Sequence, residues 1–256
     1  MSDEHYSRRM PTAPEGPEPE ARVNDYDGFA EAYTADNETS LWNAYYTRPA
    51  VIRLAGDVAG RKILDAGCGA GPLAAMLRER GAIVAGFDSS AKMLELARKR
   101  LGPEPELRVV DLGGPLPYPD GAFDDVIAAL VLHYLEDWTR PLAELRRVLK
   151  PGGRLIVAVD HPFEIDTVHM QRTGQSAYFE THSHDEEWTV GGRSVPMKFW
   201  TRPLHAMTDA FAAAGFRIAV ISEPPPAPDT PLELFPPEFG GRKPFLCFLF
   251  FVLEAS

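Results

Sequence analysis

Between positions 63 and 71 the chain reads Ile63-Leu64-Asp65-Ala66-Gly67-Cys68-Gly69-Ala70-Gly71. Two apolar residues run into an acid, and glycine then occupies three alternate positions. Only glycine lets a backbone turn tightly and come close to a bulky ligand, so an apolar strand entering such a turn makes a nucleotide-type binding loop. The spacing narrows the ligand. A dinucleotide fingerprint, G-x-G-x-x-G, begun at Gly67 needs glycine at position 72, where the chain has Pro72. The third glycine arrives one residue early, at Gly71, and Asp65 stands two before the first. Further acids follow at regular intervals. Asp88 can accept both hydrogen bonds of a ribose diol. Asp111 can accept from an exocyclic amine such as that of adenine, with Leu112 against the base. The carbonyls of Ala128-Ala129-Leu130 could receive an ammonium group.

Alternating strand and helix signals place these residues. Lys62–Ala66 predicts a first strand. Pro72 opens a helix with Leu73, Met76 and Leu77 inward and Gly81 at its end. Ala82–Phe87 is the second strand; Ser89 or Ser90 caps a helix with Leu94, Ala97 and Leu101 on one face. Leu107–Val110 and the nearly continuous apolar run Phe123–Leu130 are the third and fourth strands. A stripe of Trp138, Leu142, Leu145 and Leu149 predicts a helix stopped by Pro151-Gly152-Gly153, before a fifth strand at Arg154–Val159. A helix carrying Met207, Phe211 and Ala214, closed by Gly215, precedes strands at Phe216–Ser222 and Phe245–Leu253. No helix separates those last two, so the final strand runs antiparallel. The expectation is an α/β, doubly wound, mostly parallel seven-stranded sheet, with ligands at the carboxyl ends of its strands.

Residues 1–22 hold four prolines among acids and predict a disordered tail; 23–256 read as a single Rossmann-like domain. Within it, 23–60 form an aromatic helical lid. Residues 161–203 are an insertion of weak periodicity that covers the site and selects the second substrate. His161, just past the fifth strand, is the candidate catalytic base, since histidine takes a proton at neutral pH; its alternative is a cap ahead of Pro162. His182-x-His184 with Asp185, Glu186 and Glu187 lacks a third ligand at fixed spacing, so it reads as a polar loop and no metal is expected.

Composition excludes other classes. The net charge is −11 and the basic residues are scattered, which disfavours nucleic acid and favours a small-molecule partner. No run of eighteen apolar residues suggests a membrane span, and the first residues lack the pattern of a secretion signal. Cys68 and Cys247 are too far apart to suggest a disulfide framework, and Cys68 reads as a small buried hydrophobe; both fit the cytoplasm. Oligomeric state is not legible.

The run Asp65–Gly71, with Phe87-Asp88-Ser89-Ser90-Ala91-Lys92-Met93-Leu94, Val110-Asp111-Leu112, Leu132-His133-Tyr134-Leu135 and Leu149-Lys150-Pro151-Gly152-Gly153 in that order, resembles the small-molecule branch of class I S-adenosylmethionine-dependent methyltransferases (the methyltransferase type 11-like group, with quinone-biosynthesis and natural-product tailoring enzymes). The resemblance covers about 24–160 well and the last two strands loosely. It implies S-adenosylmethionine as cofactor and S-adenosylhomocysteine as product. It places Gly67, Cys68 and Gly69 against the methionine moiety, with Asp65 beneath them. Asp88 falls at the ribose, Asp111 at the adenine amine with Leu112 against the base, and His133 at the cofactor's edge; Ser89, Met93, Ala129 and Leu130 are also implied to bind the cofactor. Tyr26-Asp27-Gly28-Phe29-Ala30-Glu31-Ala32-Tyr33 is similar to the family's lid, with Tyr33 closing over the cofactor. The implied reaction is methylation of O, N or C of a small aromatic or heteroaromatic molecule in secondary metabolism. A nicotinamide-dependent reductase, against which Pro72 argues, and a non-catalytic cofactor-binding protein stay open as alternatives.

Overall fold

The computed structural model describes residues 24–235 and 245–256; the tail expected over 1–22 and the stretch from 236 to 244 in the proline-rich loop lie outside them. The first described segment holds α1 (Ala30–Thr39), a π-helical turn at Leu41–Thr47, and α2 (Arg48–Ala55). Five parallel strands follow: β1 (Lys62–Ala66), β2 (Ile83–Asp88), β3 (Leu107–Val109), β4 (Phe123–Ala129) and β5 (Leu149–Asp160). Between them run α3 (Pro72–Glu79), α4 (Ala91–Leu101) and α5 (Thr139–Val148). The insertion holds α6 (Pro162–Thr173), β6 (His182–Val190) and β7 (Arg193–Thr201); α7 (Leu204–Ala213), β8 (Phe216–Ser222) and β9 (Phe248–Ala255) complete the chain. Among the described residues the main sheet has seven strands in the order β3-β2-β1-β4-β5-β9-β8, and β9 alone runs opposite to the other six.

The continuous apolar runs have a direct cause. Successive strand residues point to opposite faces, and here both faces are covered. Leu64, Val126, Leu155 and Phe251 pack on one side with Leu142 and Phe211 of α5 and α7. Their neighbours Ile63, Ile127, Ile156 and Phe250 pack on the other with Val51, Leu77 and Leu94 of α2, α3 and α4.

Two local expectations are corrected. The stripe ending at Leu149 is not all helix: Trp138 caps α5, and Leu149 already pairs with Phe123 as the first residue of β5. The Pro-Gly-Gly segment therefore lies within a strand. An added Cβ at Gly153 would stand 2.9 Å from the Lys150 carbonyl and 3.0 Å from that of Asp124, so glycine admits the irregular register there. The insertion, expected to lack a pattern, is a helix and a hairpin. Gly191 and Gly192 both have positive φ, as a two-residue hairpin turn requires. His182, His184, Glu186 and Trp188 alternate with the more exposed Ser183, Asp185, Glu187 and Thr189, so the polar loop is in fact β6.

The hairpin is clasped by the first described residues. Asn24 donates from Nδ2 to the Lys198 carbonyl (3.0 Å) and accepts the Lys198 N–H (2.9 Å). Phe29 packs with Val195, Met197 and Phe199, and the ring of Tyr33 stacks on Trp188.

At the amino end of β4, Asp125 is fully buried and meets Arg154 and Arg61 through both carboxylate oxygens, at 2.5–2.9 Å. Removing a carboxylate that joins two part-buried guanidinium groups leaves them unpaired. Asp125→Ala is expected to lower unfolding free energy by about 3 kcal/mol in a denaturant titration.

Candidate active site

A cavity of about 830 Å³ lies along the carboxyl ends of the parallel strands. Its floor is a row of acids in sheet order: Asp111 after β3, Asp88 ending β2, Asp65 on β1 and, beyond the end of β4, Asp160 ending β5. With strands about 4.8 Å apart, the row spans roughly 19 Å.

The three glycines do different work. Gly67 and Gly71, both at positive φ, have no room for a side chain: a Cβ would meet Val131 at 2.7 Å and Leu101 at 2.9 Å. At Gly69 a Cβ would meet nothing within 4 Å, so this glycine leaves space open in the cavity. Asp88 accepts the Gly69 N–H on Oδ2 and the Ser90 N–H on Oδ1, both at 2.9 Å, which ties the loop to the end of β2 and holds the carboxylate still. Ser90 caps α4, and Asp27 from the lid joins that cap by accepting from the Ser90 hydroxyl and the Lys92 N–H. Asp111 accepts the Gly113 N–H (2.9 Å). Leu130 stands at φ +55, a left-handed conformation that costs a leucine about 1–2 kcal/mol and turns the chain at the end of β4.

Asp65 is buried, and its Oδ2 has no hydrogen-bond partner among the described residues. Burial, and then the charge of Asp88, push its pKa up to about 7, against the Ala74 N–H of α3. Burial likewise pushes the Cys68 thiol up, which suits a packed hydrophobe and not a nucleophile.

All of the cofactor-side residues expected from the sequence, from Tyr33 to His133, line this cavity; His161 does not. His161 caps α6, where Nδ1 accepts the Phe163 N–H (3.2 Å) and Nε2 lies 2.8 Å from Glu223. Both ring nitrogens are thus occupied. Of the two histidines with a buried, unpartnered Nε2 among the described residues, His133 and His182, only His133 lines the cavity. Its Nδ1 lies 2.7 Å from Asp160 Oδ2, while its buried Nε2 has no hydrogen-bond partner among the described residues. Its turn is pinned from behind: Trp138 Nε1 donates to the Leu132 carbonyl (2.9 Å), and Arg202 donates to those of Leu135 and Glu136. Asp160 was not singled out in the sequence, although it ends a strand in acid as Asp88 does. Glu164, Glu186 and Trp188, all from the 161–203 insertion that the sequence assigns to the second substrate, complete this end of the cavity.

Residues 64–157 match the family model described as a methyltransferase domain. A demethylmenaquinone methyltransferase from Clavibacter sepedonicus is 34% identical over 199 residues, covering 75% of this chain and 80% of that one. The chain belongs to the class I S-adenosylmethionine-dependent methyltransferases. Another demethylmenaquinone methyltransferase, from Thermus thermophilus, is 43% identical over 114 residues, 43% of this chain and 52% of that one. The methyltransferase fold is shared with an S-adenosylmethionine-dependent methyltransferase from Mesorhizobium loti, at a TM-score of 0.61 and 24% identity over 80% of this chain and 96% of that one. The enzyme thus uses S-adenosylmethionine to methylate a small molecule, and the reductase alternative drops out. Its residues suit that cofactor: Gly69 opens space beside the loop, and Asp65 Oδ2 lacks a donor.

The raised Asp65 pKa has a sign. The unfolded carboxylate loses its proton near pH 4 and the folded one near 7, so stability falls as pH rises across that window and the penalty is complete above it. Asp65→Asn should raise the Tm of the cofactor-free methyltransferase at pH 8 by an amount equivalent to on the order of 2–4 kcal/mol, and leave it nearly unchanged at pH 4. Equal shifts at both pH values in a thermal-melt series would contradict this.

Proposed function

We propose that the enzyme methylates an oxygen or nitrogen of a small aromatic or heteroaromatic acceptor, and that His133, not His161, takes the proton displaced from that atom. The carrying observation is the unpartnered Nε2 of a buried histidine whose other nitrogen is tied to Asp160. With Nδ1–H donating to Asp160, the lone pair rests on Nε2 of a residue that lines the cavity, and the carboxylate would stabilise the imidazolium that forms. S-adenosylmethionine supplies a methyl group already activated on a positive sulfonium. The chain's part is then to bind, orient and keep out water.

Asp88 would hold the ribose and Asp111 the adenine amine, with Leu112 against the base. Asp65, the glycine loop and the backbone at Ala129 and Leu130 would receive the methionine end. Asp88 suits its part because its two backbone donors leave a further lone pair on each oxygen. Ser89, Met93 and Tyr33 line the same stretch, and Tyr33, stacked on Trp188, belongs to the roof. The first described segment and the 161–203 insertion would close the reaction off together. A role in secondary metabolism and a cytoplasmic setting accord with the resemblance to tailoring enzymes, two free cysteines, and the lack, among the described residues, of a helix long and apolar enough to cross a membrane.

His133→Asn and Asp160→Asn should each lower kcat by about 10²–10⁴-fold while S-adenosylhomocysteine affinity in calorimetry stays within about threefold. Wild-type turnover in both would overturn the base assignment. Asp88→Ala should weaken S-adenosylhomocysteine by at least about 100-fold, two charge-assisted bonds being lost.

A further inference from the structure

The end of the cavity beyond β4 is unusually acidic for a site that must hold an aromatic molecule. Asp160 of β5, Glu164 of α6 and Glu186 of β6 come from three separate elements and share one wall. Their proximity registers in Glu164, whose carboxyl is pushed up to about 7 by burial and then by the charges of Asp160 and Glu186, with His184 opposing. Two of the three have fixed tasks: Asp160 holds His133, and Glu186 accepts from Trp188 Nε1 (2.9 Å) and faces His184 at 3.4 Å. Glu164 has no hydrogen-bond or ion-pair partner among the described residues. Across the cavity as a whole, Arg48 is the only Lys or Arg in the lining among the described residues, against nine carboxylate side chains.

Aromatic rings flank the same wall. Phe199 lies 5.1 Å from the ring of His133, 5.3 Å from Tyr134 and 5.6 Å from Trp188. His133, on a side chain 8% exposed and with no hydrogen-bond partner for its buried Nε2 among the described residues, lines the cavity at this end as well. A metal ion is the obvious rival occupant. Among the described residues, however, no group of three or more His, Cys, Asp or Glu is arranged to hold one.

We propose that this end is a subsite for an organic cation: the methyl acceptor carries a protonated amine, received by Glu164 and Glu186, on an aromatic or heteroaromatic ring held among Trp188, Phe199 and Tyr134. The inference rests on the methyltransferase reading of the cavity and names the class of its acceptor. A neutral quinol would leave Glu164 to hold its own proton with no partner for its carboxylate. An ammonium satisfies it, and the rings around it favour a cation over a neutral group of the same shape.

The test is calorimetric titration of the enzyme saturated with S-adenosylhomocysteine, using two matched pairs: tyramine against 4-ethylphenol, and tryptamine against 3-ethylindole. In the wild type at least one amine should bind about tenfold or more tightly than its neutral partner. That preference should fall below about threefold in Glu164→Gln and in Glu186→Gln, with S-adenosylhomocysteine affinity unchanged in both. Equal affinity within both pairs, no binding of either amine to the loaded enzyme, or a preference that survives both substitutions overturns the proposal. So does saturable Mg²⁺ binding to the loaded enzyme that Glu164→Gln abolishes, which assigns the wall to a metal. Failure of S-adenosylhomocysteine itself to bind the wild type would strike the cofactor reading, and is recorded separately before any amine is added.

Discussion

The turn after β1 is the constraint on which the site depends. The N–H groups of Gly67 and Cys68 both donate to the Phe87 carbonyl at 2.9 Å, and the next N–H, of Gly69, goes to the Asp88 carboxylate. Three successive backbone donors are thus spent on the end of β2. Such a path demands positive φ at Gly67, Gly69 and Gly71, and it lays the chain flat across two strand ends instead of letting it arch over them. The loop, the β2 acid and the start of α3 become one rigid piece. Gly86 extends the constraint inward, for a Cβ there would stand 3.0 Å from the sulfur of Cys68. Function at this edge is therefore inseparable from close packing beneath it.

The roof is held by weaker and more distributed forces. The lid and the β6–β7 hairpin have no shared sheet; they meet through the Asn24 clasp, a small apolar cluster and stacked aromatics. The Tyr26 and Tyr134 hydroxyls, 2.5 Å apart, join the lid to the turn that carries His133.

Chemistry divides the cavity into two ends. At one, the carboxylates of Asp88 and Asp111 are fixed by backbone N–H groups and stand ready as acceptors. At the other, Asp160 is committed to His133, and Glu164 and Glu186 crowd it. In the proposed roles the same residue type would serve as ligand acceptor, imidazole orienter and cation receptor, with its partners deciding which.

How much was legible follows from how local each signal is. Strand β1, the glycine turn, the acids at Asp88 and Asp111 and the antiparallel last strand are encoded by short-range rules: apolar runs for strands buried on both faces, glycine where φ is positive, and no crossover where no helix intervenes. The hairpin escaped because the less exposed face of β6 is largely polar. Its alternating positions carry His182, His184 and Glu186 in place of apolar residues, so the period of two was present without the hydrophobicity that reveals it. His161 and His133 could not be ranked from sequence either. One is occupied by Phe163 and Glu223 and the other is left free by Asp160, and these partnerships are set when separate elements pack. The sequence by itself determined the fold and the methyl donor, because a strand, its turn and its terminal acid are contiguous in the chain. Only the tertiary structure decided which histidine has a free nitrogen and where negative charge collects, because Asp160, Glu164 and Glu186 become neighbours only after β5, α6 and β6 have packed around one space.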